Sequence, residues 1–316
     1  MLSPAHTPVM LAEVLQYLQP KSDEIYVDCT FGAGGYSKAI LASSNCILYA
    51  IDQDPDVVTI ANQLKTDSSG RFRFIHGNFA ELDSLMSTQN IDKVDGIILD
   101  LGVSSMQLDS PERGFSFMHD GRLDMRMSKT GADAYNVINS TGEEELANII
   151  YNYGNERKSR HIAKKIVEQR RIAPIETTAQ LADLVRSVVR RGADKIDPAT
   201  RTFQAIRIFV NDELASLHSV LAASERLLSN NGRLIVVSFH SLEDSIVKEF
   251  INERAKPKQG GSRHLPFVST EKFQPKFKCL TNKVAEPTST ETKANPRSRS
   301  AKLRAAMRVN QEVEYA

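Results

Sequence analysis

Asp28-Cys29-Thr30-Phe31-Gly32-Ala33-Gly34-Gly35-Tyr36-Ser37 joins a short apolar run, Ile25-Tyr26-Val27, to a helix-like one led by Lys38-Ala39-Ile40-Leu41. Glycines directly after a strand let the backbone pass close to a ligand where any Cβ would collide. In open α/β sheets that ligand sits at the carboxyl ends of the strands. Moving outward, residues 47–51, 72–75 and 96–99 are further short apolar runs separated by helix-length segments, the pattern of βαβ units around a parallel sheet. Each run ends in a polar residue: Asp28, Asp52 (with Asp54 beyond it), Asn78 after Gly77, and Asp100. Together they predict one continuous rim. Asp52 follows Gly35 by 17 positions, where a carboxylate can accept two hydrogen bonds from ribose hydroxyls. Phe79 suits contact with adenine, or else a place in the core. Ser37 leaves the dinucleotide fingerprint G-x-G-x-x-G incomplete, and no G-x-x-x-x-G-K-[ST] occurs, which disfavours an NTPase.

The rest of the chain is organised differently. Thr7-Pro8 predicts a helix start, with Leu11, Val14, Leu15 and Leu18 on its buried face. From Met106 to Ala199 no comparable strand is read, only helical stretches at 144–153, 159–170 and 178–189, broken by Gly154, Pro174, Gly192 and Pro198. Strand signal returns at 234–239, after a helix over 211–228 and the turn Asn230-Asn231-Gly232. Beyond Phe250 the chain is polar and Lys/Pro-rich through Pro296, read as loop, and 300–309 reads as an edge strand. The predicted architecture is α/β: a discontinuous Rossmann-like domain (1–106 and 200–316) interrupted by an all-α insert (107–199).

Composition narrows the function classes. Across 316 residues, 40 Lys+Arg balance 39 Asp+Glu, and 41% hydrophobic content is enough for a full core. The three cysteines, Cys29, Cys46 and Cys279, are widely spaced, which argues against a disulfide scaffold or a cysteine metal site. No apolar run approaches the ~18 residues of a membrane span, and the N-terminus lacks the pattern of a secretory signal. The expectation is a soluble, intracellular protein with no metal and no membrane partner. Two basic clusters stand out of the neutral total. One is Arg157, Lys158, Arg160, Lys164, Lys165, Arg170 and Arg171; the other is Lys293, Arg297, Arg299, Lys302, Arg304 and Arg308. Such clusters can neutralise phosphates, although a charged helix is usually only a solvated face.

Several stretches are specific enough to name a family. Asp28 through Ser37, Asp100-Leu101-Gly102-Val103-Ser104-Ser105-Met106-Gln107-Leu108-Asp109, Glu112-Arg113-Gly114-Phe115-Ser116-Phe117, Leu123-Asp124-Met125-Arg126-Met127, Pro198 through Ala205, and Ser238-Phe239-His240-Ser241-Leu242-Glu243-Asp244 resemble the RsmH (MraW) family. The likeness runs from His6 to Ser300. It implies a class I S-adenosylmethionine (SAM)-dependent methyltransferase fold, with methylation of a cytidine's exocyclic amino nitrogen in the decoding region of the 16S ribosomal RNA. The small ribosomal subunit is then the partner, in the cytoplasm, and the oligomeric state stays open, a homodimer included. The family's SAM contacts fall on Gly34, Gly35, Tyr36, Asp52, Phe79, Asp100 and Gln107. Tyr36 departs from the histidine of many relatives.

An exocyclic amine is a poor nucleophile and needs in-line placement beside hydrogen-bond acceptors. Asp100 is the best single candidate for a catalytic group, with Ser104 and loop carbonyls behind it; its alternative role is to orient the amino end of SAM without touching the base. Phe115, Phe117 and Tyr135 are available to hold a displaced base, or else form the insert's core. Three rivals remain at this stage: a hydrolase built on His240-Ser241, a NAD-dependent dehydrogenase, and a non-enzymatic RNA-binding ribosome-assembly protein. No G-x-S-x-G elbow supports the first.

Overall fold

The computed structural model describes residues 8–191, 196–257 and 273–309. Thr7, the expected cap, lies outside them. Two compact units emerge, Met1–Gly102 with Ala215–Ala316, and Val103–Leu214.

In the first unit the elements run α1 (Leu11–Leu18), β1 (Ile25–Asp28), α2 (Gly35–Ser43), β2 (Ile47–Asp52), α3 (Val58–Asp67), β3 (Phe72–His76), α4 (Leu82–Ser87) and β4 (Val94–Asp100). The second unit holds α5 (Ser105–Asp109), α6 (Ala134–Ser140), α7 (Glu143–Gly154), α8 (Ser159–Arg170), α9 (Thr178–Val188) and α10 (Ala199–Val210). After α11 (Glu213–Leu227) come β5 (Leu228–Ser238), α12 (Ser241–Ala255), β6 (Phe277–Cys279), α13 (Ser289–Ala294) and β7 (Lys302–Arg308).

The strands form one sheet in the order β3-β2-β1-β4-β5-β7-β6. The first five are parallel, and β7 and β6 run antiparallel to their neighbours. Alternation along β1 and β4 splits the core into two layers. Val27, Ile97 and Leu99 pack with α4, α11 and α12 on one face. Tyr26 and Ile98 pack with α1, α2 and α3 on the other. The second unit has its own core, where Leu146 and Ile150 of α7, Ile162 and Ile166 of α8, Leu181 of α9 and Phe203 of α10 meet.

Four expectations are corrected. The unit boundary falls at Leu214, not at 199/200, because Ala199, Phe203 and Ile206 bury α10 in the helical core. The first helix begins at Leu11 rather than Pro8, with Met10 in the left-handed region at its start. The 300–309 strand is interior, since β6 covers its outer side. The turn at 230–232 is a bulge inside β5: Val94 pairs with Leu228 and Gly96 with Arg233, so four residues of β5 face one of β4.

Candidate functional site

Parallel neighbours in register bring the strand ends together. Asp28 pairs with Ala50 and Ile98, and Asp52 with His76, so the carboxyl ends of β1, β2, β3 and β4 lie side by side. The predicted rim exists, with Asn78 in the loop just past β3, its amide 3.3 Å from Gln53 Oε1.

The glycine turn closes on this rim. Gly34 adopts φ +74°, and a Cβ there would sit 2.9 Å from the Phe31 ring. Gly35 opens α2 packed so tightly that a Cβ would meet Pro8 at 2.2 Å. Asp52 orders the turn from below: Oδ2 accepts from Gly32 N–H at 2.8 Å and Oδ1 from Asp54 N–H at 2.9 Å. Burial raises its pKa above the usual carboxylate range, although these amide donors favour the charged form. Asp28 is wholly buried, its oxygens accepting from Thr30 N–H (3.1 Å) and Ser37 Oγ–H (2.7 Å). Burial, against those hydrogen bonds, pushes it up to about 6.

Asp100 ends β4, where its N–H donates to Thr30 Oγ1 at 2.7 Å. Its Oδ1 is buried and has no hydrogen-bond partner among the described residues. Burial first, then the charges of Asp28 and Glu243, holds it well above the usual range. An orphaned acceptor in a buried place is costly unless a donor arrives. Thr30 was missed in the sequence; its place two residues after Asp28 is the signal that could have shown it.

Other candidates fall elsewhere. Tyr36 is core: its ring is buried and its hydroxyl donates to Val9 O, so the ring does not lie open to cover a cofactor, and its backbone at the start of α2 is what it can offer. Phe79 is half-buried in a short 3-10 turn after β3, packed against the core. Gln107 belongs to the second unit, where it closes a capping box with Ser104 at the first turn of α5. Phe115, Phe117 and Tyr135 all pack in the helical core, Phe117 edge-on against Phe203 under the Arg186 guanidinium. His240 is no strand residue. It caps α12, its Nδ1 accepting from Glu243 N–H, which removes the hydrolase pairing with Ser241. Cys29 is buried behind the turn, where burial raises its thiol well above normal.

The basic clusters are smaller than their sequence. Arg170 spends its guanidinium on Ile138 O and Thr141 O, both at 2.7 Å. Lys302 and Arg304 are tied to Asp244. Arg157, Lys158, Arg160, Lys164, Lys165 and Arg171 are exposed, as are Lys293, Arg297 and Arg299.

A parallel sheet closed by two antiparallel strands, a glycine turn after β1, a carboxylate ending β2 and an unmet acceptor ending β4 fit an adenosyl cofactor that carries an ammonium group as a donor. These features define a SAM-dependent methyltransferase. The MraW methylase family model matches residues 3–309, and the chain belongs to that family. The ribosomal RNA small subunit methyltransferase H of Paramagnetospirillum magneticum is 55% identical over 303 residues, covering 96% of this chain and 95% of that protein. Those of Rhodospirillum rubrum and Rickettsia bellii are 51% and 50% identical, each over 96% of this chain and 94% and 99% of their own lengths. The enzyme uses SAM as methyl donor.

Proposed function

We propose that this methyltransferase modifies the exocyclic amino nitrogen of a cytidine in 16S ribosomal RNA, acting in the cytoplasm on the small ribosomal subunit; the names of its relatives give small-subunit ribosomal RNA as what they methylate. The observation that supports an amine target is the unmet, buried Asp100 Oδ1 at the end of β4. SAM supplies an electrophilic methyl group when bound. The chain then has to hold the donor and to accept an N–H beside the transfer. Asp52 takes the ribose hydroxyls, the backbone of Gly34, Gly35 and Tyr36 lies along the cofactor, Phe79 meets adenine, and Asp100 accepts an N–H at the reacting end.

The loop after β4 carries no cysteine, so the thiolate route to ring-carbon methylation lacks a nucleophile there. The helical unit, with its exposed cations on α8, is the part read as contacting RNA phosphates. Its size and charge favour an assembled particle over naked RNA. The test is purified protein with labelled SAM and small subunits from a strain lacking this gene, followed by nucleoside analysis. Label on the cytidine amine is expected. Label on a ring carbon or ribose oxygen refutes the target, and equal activity on naked RNA refutes the particle preference.

A further inference from the structure

The ends of β2, β1 and β4 present three adjacent carboxylates: Asp52, Asp28 and Asp100. Among the described residues no lysine or arginine forms an ion pair with any of them. Lys38, on α2, directs its Nζ to Ala33 O at 3.5 Å instead. Glu243, at the first turn of α12, is different, because Oε2 accepts from Phe239 N–H and His240 N–H. Ionising these acids therefore puts negative charge in a buried place where the described residues offer no cation to offset it, which is costly on its own.

Asp28 is the odd member. Unlike Asp52, which is only partly buried, it has no surface open to a ligand, and its oxygens accept from Thr30 N–H and Ser37 Oγ–H within the turn. Whatever it does to a ligand it does through its field. SAM and its product, S-adenosylhomocysteine, share the adenosine and the amino-acid end. They differ in charge at sulfur, a sulfonium before transfer and a neutral thioether after. A fixed charge that contacts neither molecule distinguishes them on that difference alone.

We propose that Asp28 is a positioning charge that sets the preference for SAM over its demethylated product, so that losing the sulfonium charge on methyl transfer loosens the product. Asp52 faces the ribose, which both molecules share, and changes both affinities together. Roughly tenfold in the affinity of an ion, about 1.4 kcal/mol, is what one unit charge exerts on another about 12 Å away at an effective dielectric of about 20. The groups facing Asp28 are Asp52 from β2, Asp100 from β4, and Tyr36 and Ser37 from α2, with Cys29 beside it and Glu243 acting on Asp100 from α12. Burial raises the Tyr36 phenol and the Cys29 thiol, so neither ionises near neutrality. Asp28 titrates at about 6, hence the preference grows as pH rises through 6.

Titration calorimetry with SAM and with S-adenosylhomocysteine, on the whole chain at pH 7.5, tests this. Asp28→Asn keeps an acceptor for Thr30 and can donate to Ser37 Oγ. The variant is expected to bind SAM about tenfold more weakly and the product within about twofold of wild type. Parallel weakening of both ligands, the mark of a merely structural role, overturns the proposal, as does no change in either. Ser37→Ala provides a second reading if Asp28→Asn fails to fold. It removes a donor that favours the charged carboxylate, so the midpoint in the pH dependence of the affinity ratio moves upward. That midpoint lies below the cofactor's own amino group, which titrates near ~7.7–8.0. An unmoved midpoint overturns the proposal.

Discussion

Asp52 holds the glycine turn as well as any ribose. Both carboxylate oxygens already accept backbone N–H groups, from Gly32 and Asp54, and each keeps a further lone pair for a hydroxyl. Asp52→Ala is therefore expected to weaken SAM binding by about 1.5–3 kcal/mol, the loss of charged hydrogen bonds plus a loosened turn. Calorimetry on the folded variant checks it, and unchanged affinity removes Asp52 from the site. The three strand-end carboxylates were legible because a polar residue closing an apolar run in a parallel sheet has one place to go. Tyr36 was not. A residue beside glycine at a helix start reads as open to the cofactor. What buries it is Val9, whose carbonyl takes the phenol from far upstream and which no local pattern connects to it.

At the scale of elements, α7 and α10 approach so closely that a Cβ on Gly154 would lie 2.4 Å from Arg201 O. Gly154→Ala is expected to force the helices apart and lower stability by about 1–3 kcal/mol, read as a shift in the denaturation midpoint at unchanged slope. In sequence Gly154 reads only as a breaker, because nothing local shows which helix passes it. The same gap hides where α10 belongs, because the register of its apolar face does not say which core it joins. β6, three residues long, had no periodicity to detect. The α8 cations are a separate matter of exposure. Lys164 and Lys165 stand in solvent, Lys164 with only a 4.0 Å pairing to Glu168. Reversing both charges is expected to weaken subunit binding and flatten its salt dependence while SAM affinity holds. A parallel fall in SAM affinity points to fold damage instead.

For the whole molecule, the same buried acids that suit a cationic ligand burden the ligand-free protein. An acid whose folded pKa lies above its unfolded one binds more protons when folded, so stability falls as pH rises between the two values. For Asp28 that window runs from the ordinary 3.8 to about 6, and Asp52 and Asp100 are raised in the same direction. Other carboxylates act oppositely. Burial would raise Asp244, but hydrogen bonds and charge from Arg304 and Lys302 hold it below normal, and Lys276 with Arg254 does the same for Glu225. Their contribution is complete above the unfolded carboxylate range and disappears only as pH falls through the lowered values. The two sets meet at the ordinary carboxylate values of 3.8 to 4.5, so ligand-free stability should peak at about pH 4 and decline toward neutrality. SAM brings positive charge to the buried acids, which favours their ionised forms and offsets that decline. Thermal melts from pH 3 to 8 with and without SAM are expected to show a ligand-free maximum near 4 and a larger SAM-induced rise at pH 7.5 than at 5.5. A ligand-free melting temperature that climbs steadily from pH 5 to 7 would show that the acids at the strand ends are not burdened as their burial requires.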